Sequence, residues 1–217
     1  MSDFYGHEIQ YRGEEIVAKR SSVPIKICGL GALGSHLSDL LVRQGYSLLT
    51  LIDKDTVERK NIGTQIYDPS DIGRSKAIQL ANKITRRYGI KSHVAENVTI
   101  TDMTVDRRLK GSKLVIDVFD NTGSRKLIQD SCKRLGIENI HAGLGSLGFF
   151  EVKWNESYYC VSAAKGEDGP CEYSLATNLI ILCVGILAET INRWVDKGEK
   201  INSEFWLESL KLNTEKI

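Results

Sequence analysis

Residues 25–34 read IKICGLGALG, and this stretch decides the fold. The run before the glycines is short, apolar and rich in β-branched side chains, which predicts a buried strand. Leu33, Leu37 and Leu41 then recur with helical spacing, and Gly45 ends the pattern. The order is therefore strand, glycine turn and helix.

The alternation of strands and helices continues along the chain. Residues 48–52 form a second apolar run that finishes at Asp53. Further segments follow: a helix over 76–88, strands over 94–98 and 113–119, a helix over 124–135 and a short strand over 139–142. Strands that alternate with helices predict a mostly parallel sheet with helices on both faces.

The pattern changes after Gly143. The alternation in the following residues predicts antiparallel strands, and residues 177–195 predict an apolar helix that is too amphipathic at its end to span a membrane. We therefore expect an α/β, Rossmann-like, mostly parallel sheet with an antiparallel C-terminal extension. It would form one domain over residues 1–217, with an N-terminal segment 1–22 and a polar tail 198–217, whose apolar residues 205–207 could dock on a surface or a partner.

Composition excludes several classes of function. The chain has 217 residues, 41 % of them hydrophobic, which is enough to form a core. Lys and Arg total 29 against 28 Asp and Glu, so a net charge of +1 provides no field for binding nucleic acid. The polar N-terminus is unlike a signal peptide, and we find no apolar run of spanning length, which predicts a cytoplasmic protein with no membrane partner.

The glycines of the first turn predict a nucleotide site. Gly29, Gly31 and Gly34 fit G-x-G-x-x-G between a strand and a helix, and Asp53 follows about 20 residues later, as in dinucleotide-binding folds. Glycines let the backbone approach phosphates, the helix N-terminus adds N–H donors, and Asp53 can accept hydrogen bonds from ribose hydroxyls. This motif fits NAD and ATP equally well.

Residues 49–76, LTLIDKDTVERKNIGTQIYDPSDIGRSK, resemble the ThiF, MoeB and ubiquitin-activating family. Members of that family carry an Asp-x-Asp-x-Val-Glu block, an Asn-containing loop that ends in Arg-Gln, and a Gly-x-x-Lys. Here these elements are residues 53–58 (DKDTVE), 61–65 (NIGTQ) and 73–76 (GRSK). The resemblance continues through residues 118–121 (VFDN) and Arg125, and it favours ATP over NAD.

The resemblance implies a role for each of these residues. Lys76 would stabilise charge on the triphosphate during attack on the α-phosphorus, and Asp120 would hold Mg²⁺. Asn61 and Gln65 would donate to phosphate or ribose oxygens, and Asp55 could support the metal or the loop. The implied reaction joins AMP from ATP to a carboxyl group, the C-terminus of a ubiquitin-like or sulfur-carrier protein or peptide. Family members usually pair as homodimers, and the apolar helix offers a surface for pairing.

Two positions depart from the family pattern. Thr64 stands where the family has the arginine of Arg-Gln, and His7 stands where it commonly has an N-terminal arginine lent to the neighbouring subunit. Arginine binds phosphate with two hydrogen bonds and a permanent charge, which neither replacement offers. Arg12, Arg59 or Arg74 could substitute for the missing arginines. Otherwise adenylation is slow or absent, and the chain is a nucleotide-binding interaction module.

Cys171 is a further candidate for catalysis. It lies in residues 169–175, GPCEYSL, which resemble the crossover loop whose cysteine receives the activated acyl group as a thioester. A structural cysteine is an equal alternative. Cys160 lies where many relatives have half of a zinc pair, but its C-x-x-C companion is missing, so we expect no structural zinc.

The remaining cysteines and histidines are interpreted as structural. Cys28, Cys132 and Cys183 fall at apolar positions of predicted strands and helices. His36 and His93 are isolated, and His141, which could face the nucleotide crevice, is more simply a structural residue. An NAD-dependent oxidoreductase remains a third hypothesis, although it leaves Lys76 and the Asn61 loop unexplained.

Overall fold

The computed structural model describes residues 4–91, 93–145, 147–159 and 176–217, which form an α/β fold around one sheet of eight strands. The strands are β1 Ile25–Cys28, β2 Leu49–Ile52, β3 Val94–Glu96, β4 Leu114–Asp117, β5 Glu138–Gly145, β6 Phe149–Trp154, β7 Ile201–Trp206 and β8 Lys211–Lys216. Their order across the sheet is β3-β2-β1-β4-β5-β6-β7-β8.

The described residues contain seven α-helices, two of them before β1 and the others between strands. They are α1 Gly6–Arg12, α2 Glu14–Arg20, α3 Ala32–Arg43, α4 Lys76–Tyr88, α5 Val105–Leu109, α6 Thr122–Leu135 and α7 Thr177–Lys197. Two short 3-10 helices, Arg59–Asn61 and Pro69–Asp71, lie between β2 and α4. The helix predicted over 76–88 has the observed bounds of α4. The helix predicted over 124–135 begins two residues earlier than expected, at Thr122.

The five strands β1 to β5 pair in parallel, as predicted. Ile27 of β1 lies opposite Leu51 of β2 on one side and Ile116 of β4 on the other. The strands β2 and β3 thus lie on one side of β1, and β4 and β5, which come later in the chain, lie on the other side. Ligands of open α/β sheets bind at this point, outside the carboxyl ends of the strands.

Helices cover both faces of the parallel strands, which explains why β1, β2 and β4 are mostly apolar. The larger core lies beneath α3, α4 and α7 and includes Ile27, Leu51 and Ile116. The smaller core lies beneath α5 and α6 and contains Cys28 and Cys132. Adjacent residues of β1 thus belong to opposite cores, because successive strand side chains point to opposite faces.

The antiparallel extension begins with β5, which is parallel to β4 and antiparallel to β6. Most of the predicted polar tail forms the β7–β8 hairpin of the same sheet, and its residues Phe205 and Trp206 pack on β6 of this chain. Phe205 is 7 % exposed and stacks on Phe150 with ring centroids 5.1 Å apart. The sequence conceals β7 because its buried positions include Asn202 and Ser203, which break the apolar alternation.

Helix α7 is the longest helix described. By length and composition it is apolar enough to cross a membrane, so the expectation of no spanning-length run is wrong on those two criteria. Of the apolar stretch, 56 % is buried inside the structure. Leu179, Cys183 and Leu187 pack in the larger core, which explains the apolar character of the helix.

The N-terminal helices are joined to the end of α7 by charged groups. Arg20 is completely buried, and its guanidinium donates to Asp196 at 2.6 Å and to Glu8 at 3.2 Å. Arg12 donates to Glu189 at 2.7 Å. A buried arginine is tolerated because carboxylates pair with it, so these contacts fix residues 6–20 against the domain.

Candidate functional site

A cavity of about 550 Å³ opens at the carboxyl ends of β1, β2, β4 and β5. The strands β1, β2 and β4 contribute residues that follow them in sequence, whereas β5 contributes Gly143 and Leu144 from its own carboxyl end. The loop between β2 and α4 forms another wall. Of the residues predicted to form the site, eight line this cavity: Gly29, Gly31, Asp53, Asp55, Asn61, Gln65, Lys76 and Asp120. Val98, Ile100 and Phe119 add apolar surface of the kind on which a flat ring can pack.

The three glycines of the turn have different surroundings. A Cβ on Gly29, whose φ is +96°, would lie 2.9 Å from the Val118 carbonyl oxygen, and one on Gly34 would lie 1.9 Å from the Gly29 oxygen. At Gly31 the nearest heavy atom would be Gln65 Nε2, 3.8 Å away. Gly29 and Gly34 thus allow close packing, whereas Gly31 faces open space that a phosphate group fits. Gly34 is not one of the described residues that line the cavity.

Asp53 ties the glycine turn to the end of β2. Its Oδ2 accepts from the Leu30 N–H at 2.7 Å, and its Oδ1 accepts from the Asp55 N–H at 2.8 Å. Burial raises the pKa of Asp53, although these two hydrogen bonds and Lys76 oppose the increase. Each oxygen keeps a second lone pair, so the carboxylate can still accept a hydrogen bond from a ribose hydroxyl.

Lys76 is the first residue of α4, and Ser75 caps that helix. The Lys76 backbone N–H donates to the Asp55 carbonyl at 2.9 Å, and its Nζ lies 3.8 Å from Asp55 Oδ2. The side chain is only 10 % exposed. A buried ammonium beside one half-exposed carboxylate provides a fixed positive charge on the cavity wall.

Asn61 and Gln65 lie on the loop wall of the cavity. Asn61 Oδ1 accepts from the Glu58 N–H at 2.8 Å, so the amide stabilises its own loop. Gln65 Oε1 is buried and has no partner among the described residues. A buried polar atom without a partner is costly, and a ligand hydroxyl would satisfy it. With the amide rotated, Nε2 would instead donate to a phosphate oxygen.

Asp120 and Arg125 lie at the other end of the cavity, next to Gly143 and Leu144. Asp120 follows β4 and is exposed. The Arg125 guanidinium donates to the Phe119 carbonyl at 2.6 Å, the Ala142 carbonyl at 2.9 Å and the Tyr158 hydroxyl at 3.3 Å. Burial lowers the pKa of Arg125, but the charge of Asp117 and other neighbours leave it above its ordinary value.

Sequence analysis gives Arg125 no role in the site, although the residue belongs to the pattern that resembles the family. An arginine five residues after the Asp120 motif was the available signal. Its partners come from β5 and from the segment after β6, which only tertiary structure brings together.

His141 is a structural residue, as interpreted from the sequence. It is 1 % exposed, its Nδ1 lies 2.8 Å from Asp117 Oδ2, and its ring stacks on Tyr158 at 3.9 Å. Neither His141 nor Asp117 is one of the described residues that line the cavity. Asn155 Oδ1 is 3.4 Å from the second ring nitrogen, Nε2.

The expected substitutes for the family arginines do not line the cavity. Arg12 pairs with Glu8 and Glu189, and neither Arg59 nor Arg74 is one of the described lining residues. His7 is an exposed residue of α1, also away from the described lining. Thr64 does line the cavity, so its wall carries a neutral hydroxyl there.

The core cysteines are confirmed as buried free thiols. Burial raises the pKa of Cys132 to about 12, and it raises the pKa of Cys28 and Cys183 as well. Cys160 and Cys171 lie outside the described residues. Across the described ranges, no group of three or more His, Cys, Asp and Glu side chains has the arrangement of a metal site.

A parallel sheet with a glycine turn, a strand-end acid and a buried lysine around one cavity defines a class, the Rossmann-like domains that bind phosphate-containing nucleotides. A comparison with known protein families identifies the family within this class. A model of the ThiF family matches residues 5–212, and the chain belongs to that family.

Several curated relatives are similar in sequence. The adenylyltransferase and sulfurtransferase MOCS3 of Dictyostelium discoideum is 29 % identical over 148 residues, which cover 68 % of this chain and 32 % of that protein. The SAMP-activating enzyme E1 of Haloferax volcanii is 25 % identical over 202 residues, covering 88 % of this chain and 74 % of the relative. The chain also spans only part of two further relatives. It covers 25 % of a SUMO-activating enzyme subunit 2 and 51 % of a ubiquitin-like modifier-activating enzyme 5.

Solved structures share the fold at low identity. E. coli MccB with ATP superposes with a TM-score of 0.81 at 14 % identity, covering 99 % of this chain and 71 % of MccB. The structure of PaaA gives a TM-score of 0.80 at 17 % identity, covering 100 % of this chain and 73 % of PaaA. These similarities establish the Rossmann-like fold with its antiparallel extension.

Proposed function

We propose that this protein activates a carboxyl group by adenylation with ATP. A carboxylate oxygen attacks the α-phosphorus, the bond from that phosphorus to the oxygen of the departing diphosphate breaks, and the products are an acyl adenylate and pyrophosphate. The acyl group would be the C-terminus of a ubiquitin-like or sulfur-carrier protein or of a peptide. Relatives named as a molybdopterin-synthase adenylyltransferase and a SAMP-activating enzyme support this choice.

The observation that carries the proposal is that one cavity contains the glycine turn, Lys76 and Asp120 together. Gly31 leaves room for phosphate, Lys76 supplies a buried positive charge, and Asp120 supplies a carboxylate at the opposite end. Each group is suited to a different part of a nucleoside triphosphate.

The residues act by positioning and by charge. The backbone at Gly31 and the start of α3 would hold phosphate oxygens, and Asp53 and Gln65 would orient the ribose. The Lys76 ammonium would stabilise the negative charge that develops as the carboxylate attacks. A carboxylate is already ionised at neutral pH, so this step needs no general base.

Asp120 is suited to hold Mg²⁺ in this scheme. It is an exposed carboxylate at the cavity wall, and Mg²⁺ commonly binds one or two protein carboxylates while keeping water and phosphate oxygens as its other ligands. Bound there, the ion would neutralise charge on the triphosphate. Asp55, which is nearer Lys76, would serve the loop more than the metal.

The reaction can be tested by isotope exchange between pyrophosphate and ATP. Small proteins and peptides that end in Gly-Gly, taken first from neighbouring genes, serve as candidate acyl substrates. We expect exchange with the correct partner and loss of exchange in Lys76→Ala and Asp120→Ala. Absence of exchange with every partner, despite tight ATP binding, would select the second candidate.

The second candidate is a nucleotide-binding interaction module of the same fold, with weak or no catalysis. The engagement of Arg12 with carboxylates and the neutral Thr64 favour it, since two family arginines have no direct replacement. We infer three further properties that stay predictions: a thioester on Cys171, pairing of two chains through α7, and a cytoplasmic location.

A further inference from the structure

Four cationic side chains line the nucleotide cavity: Lys54, Lys60, Lys76 and Arg125. Arg125 is held by three protein oxygens, and Lys76 is buried next to Asp55. Lys54 and Lys60 are both exposed. Lys54 directly follows Asp53 at the end of β2, whereas Lys60, whose side chain is 71 % exposed, lies on the loop wall that also carries Thr64. Its ammonium can therefore move toward a ligand without breaking the core.

A hydrogen-bonded loop holds Lys60 beside the cavity. Lys60 is the middle residue of the 3-10 helix Arg59–Asn61, which Glu58 and Asn61 close by exchanging hydrogen bonds. The N–H groups of Thr64 and Gln65 then donate to the Asn61 carbonyl at 3.1 and 2.9 Å. Residues 58–65 thus form one unit that presents Lys60, Thr64 and Gln65 to the same cavity.

The present partner of Lys60 is a weak one. Its Nζ lies 3.1 Å from Glu58 Oε2, and the Glu58 side chain is 59 % exposed. Water screens such a pair, so it contributes little to stability. An ammonium has three N–H donors, and one carboxylate contact leaves two of them for phosphate oxygens. Thr64, on the same loop, offers one neutral hydroxyl.

We propose that Lys60 is a catalytic residue that binds the terminal phosphates of ATP. Before nucleotide binds, its ammonium pairs with Glu58 at the cavity wall, and it then stabilises the charge on the departing pyrophosphate. Lys60 supplies the cation that the neutral Thr64 does not. The proposal rests on the adenylation site described above and assigns one more of its groups.

Calorimetric titration of the purified chain with ATP and Mg²⁺, and separately with adenosine, tests this role. We expect Lys60→Ala to weaken ATP binding about tenfold, the size of one charge-assisted contact, with adenosine binding unchanged. Arg59→Ala is the matched control, because it removes the same charge at the neighbouring residue. The Arg59 side chain is not part of the described cavity lining. It should change ATP affinity less than about twofold.

A rescue variant separates charge from loop structure. Adding Thr64→Arg to Lys60→Ala returns a cation to the same wall and should restore ATP affinity. The proposal is overturned if Lys60→Ala weakens adenosine as much as ATP, or if Arg59→Ala weakens ATP equally. If the unmodified chain binds ATP no better than adenosine, the proposed function itself fails, which is a different result.

Discussion

At the scale of single residues, adding one methyl group to Gly34 should lower stability, whereas adding it to Gly31 should not. Gly34→Ala places a Cβ 1.9 Å from a backbone oxygen, so we expect a loss of about 3 kcal/mol in the free energy of unfolding. Gly31→Ala meets nothing closer than 3.8 Å and should change stability by less than about 1 kcal/mol. Urea unfolding measures both.

The same pair distinguishes binding from packing. The Gly31→Ala methyl group would occupy the space proposed for a phosphate, so this stable variant should lose ATP binding. A Gly31→Ala chain that folds and binds ATP normally contradicts the placement of phosphate at the turn.

The core thiols predict a labelling pattern. Burial raises the pKa of Cys28, Cys132 and Cys183, so their thiols are un-ionised and inaccessible at neutral pH. Peptides that contain these three residues should stay unlabelled by iodoacetamide at pH 7.5 and become labelled after denaturation. Mass spectrometry of the digested chain reads the result, and rapid labelling of Cys183 in the folded chain would contradict the packing of α7.

At the scale of secondary-structure elements, the β7–β8 hairpin joins the domain core through Phe205 of β7, whereas β8 is exposed. Phe205→Ala removes a ring that stacks on Phe150, so we expect a loss of about 3 kcal/mol. Leu210→Ala, at a residue 71 % exposed in the turn of the same hairpin, is the control and should change stability by about 0.5 kcal/mol or less. Equal effects in thermal unfolding would mean that the hairpin packs differently.

At the scale of the whole molecule, ligand-dependent stability distinguishes ATP from NAD. A ligand that binds only the folded chain raises the unfolding midpoint, and the increase grows with the logarithm of its affinity. We expect ATP with Mg²⁺ to raise Tm and NAD to leave it unchanged. Stabilisation by NAD alone would return the oxidoreductase hypothesis to consideration.

Pairing of two chains is also a property of the whole molecule. Ile181 and Leu182 are 51 % and 41 % exposed on α7, and they offer apolar surface to a second copy. If the chain pairs through this helix, Ile181→Glu should convert a dimer into a monomer in light scattering. Arg193→Glu, on the exposed C-terminal part of α7, controls for added negative charge.

Local patterns were sufficient for the parallel half of the fold. The strands β1, β2 and β4 are short and mostly apolar, and α4 has an apolar face with helical spacing, so neighbouring residues alone specify them. The sequence did not predict the β7–β8 hairpin. Its buried Asn202 and Ser203 are stabilised by contacts with β6, which lies far away in the chain. One of these contacts is the hydrogen bond from the Trp154 N–H to Asn202.

The sequence by itself determined the strand, glycine turn and helix, the acid at the end of β2 and the family likeness, because each depends on residues close together in the chain. Tertiary structure alone decided that Arg12 is engaged elsewhere and that Lys60 and Arg125 join Lys76 and Asp120 in the cavity. The physical reason is that burial and ion pairing depend on which distant segments the sheet brings together, and those contacts leave no periodic pattern in the sequence.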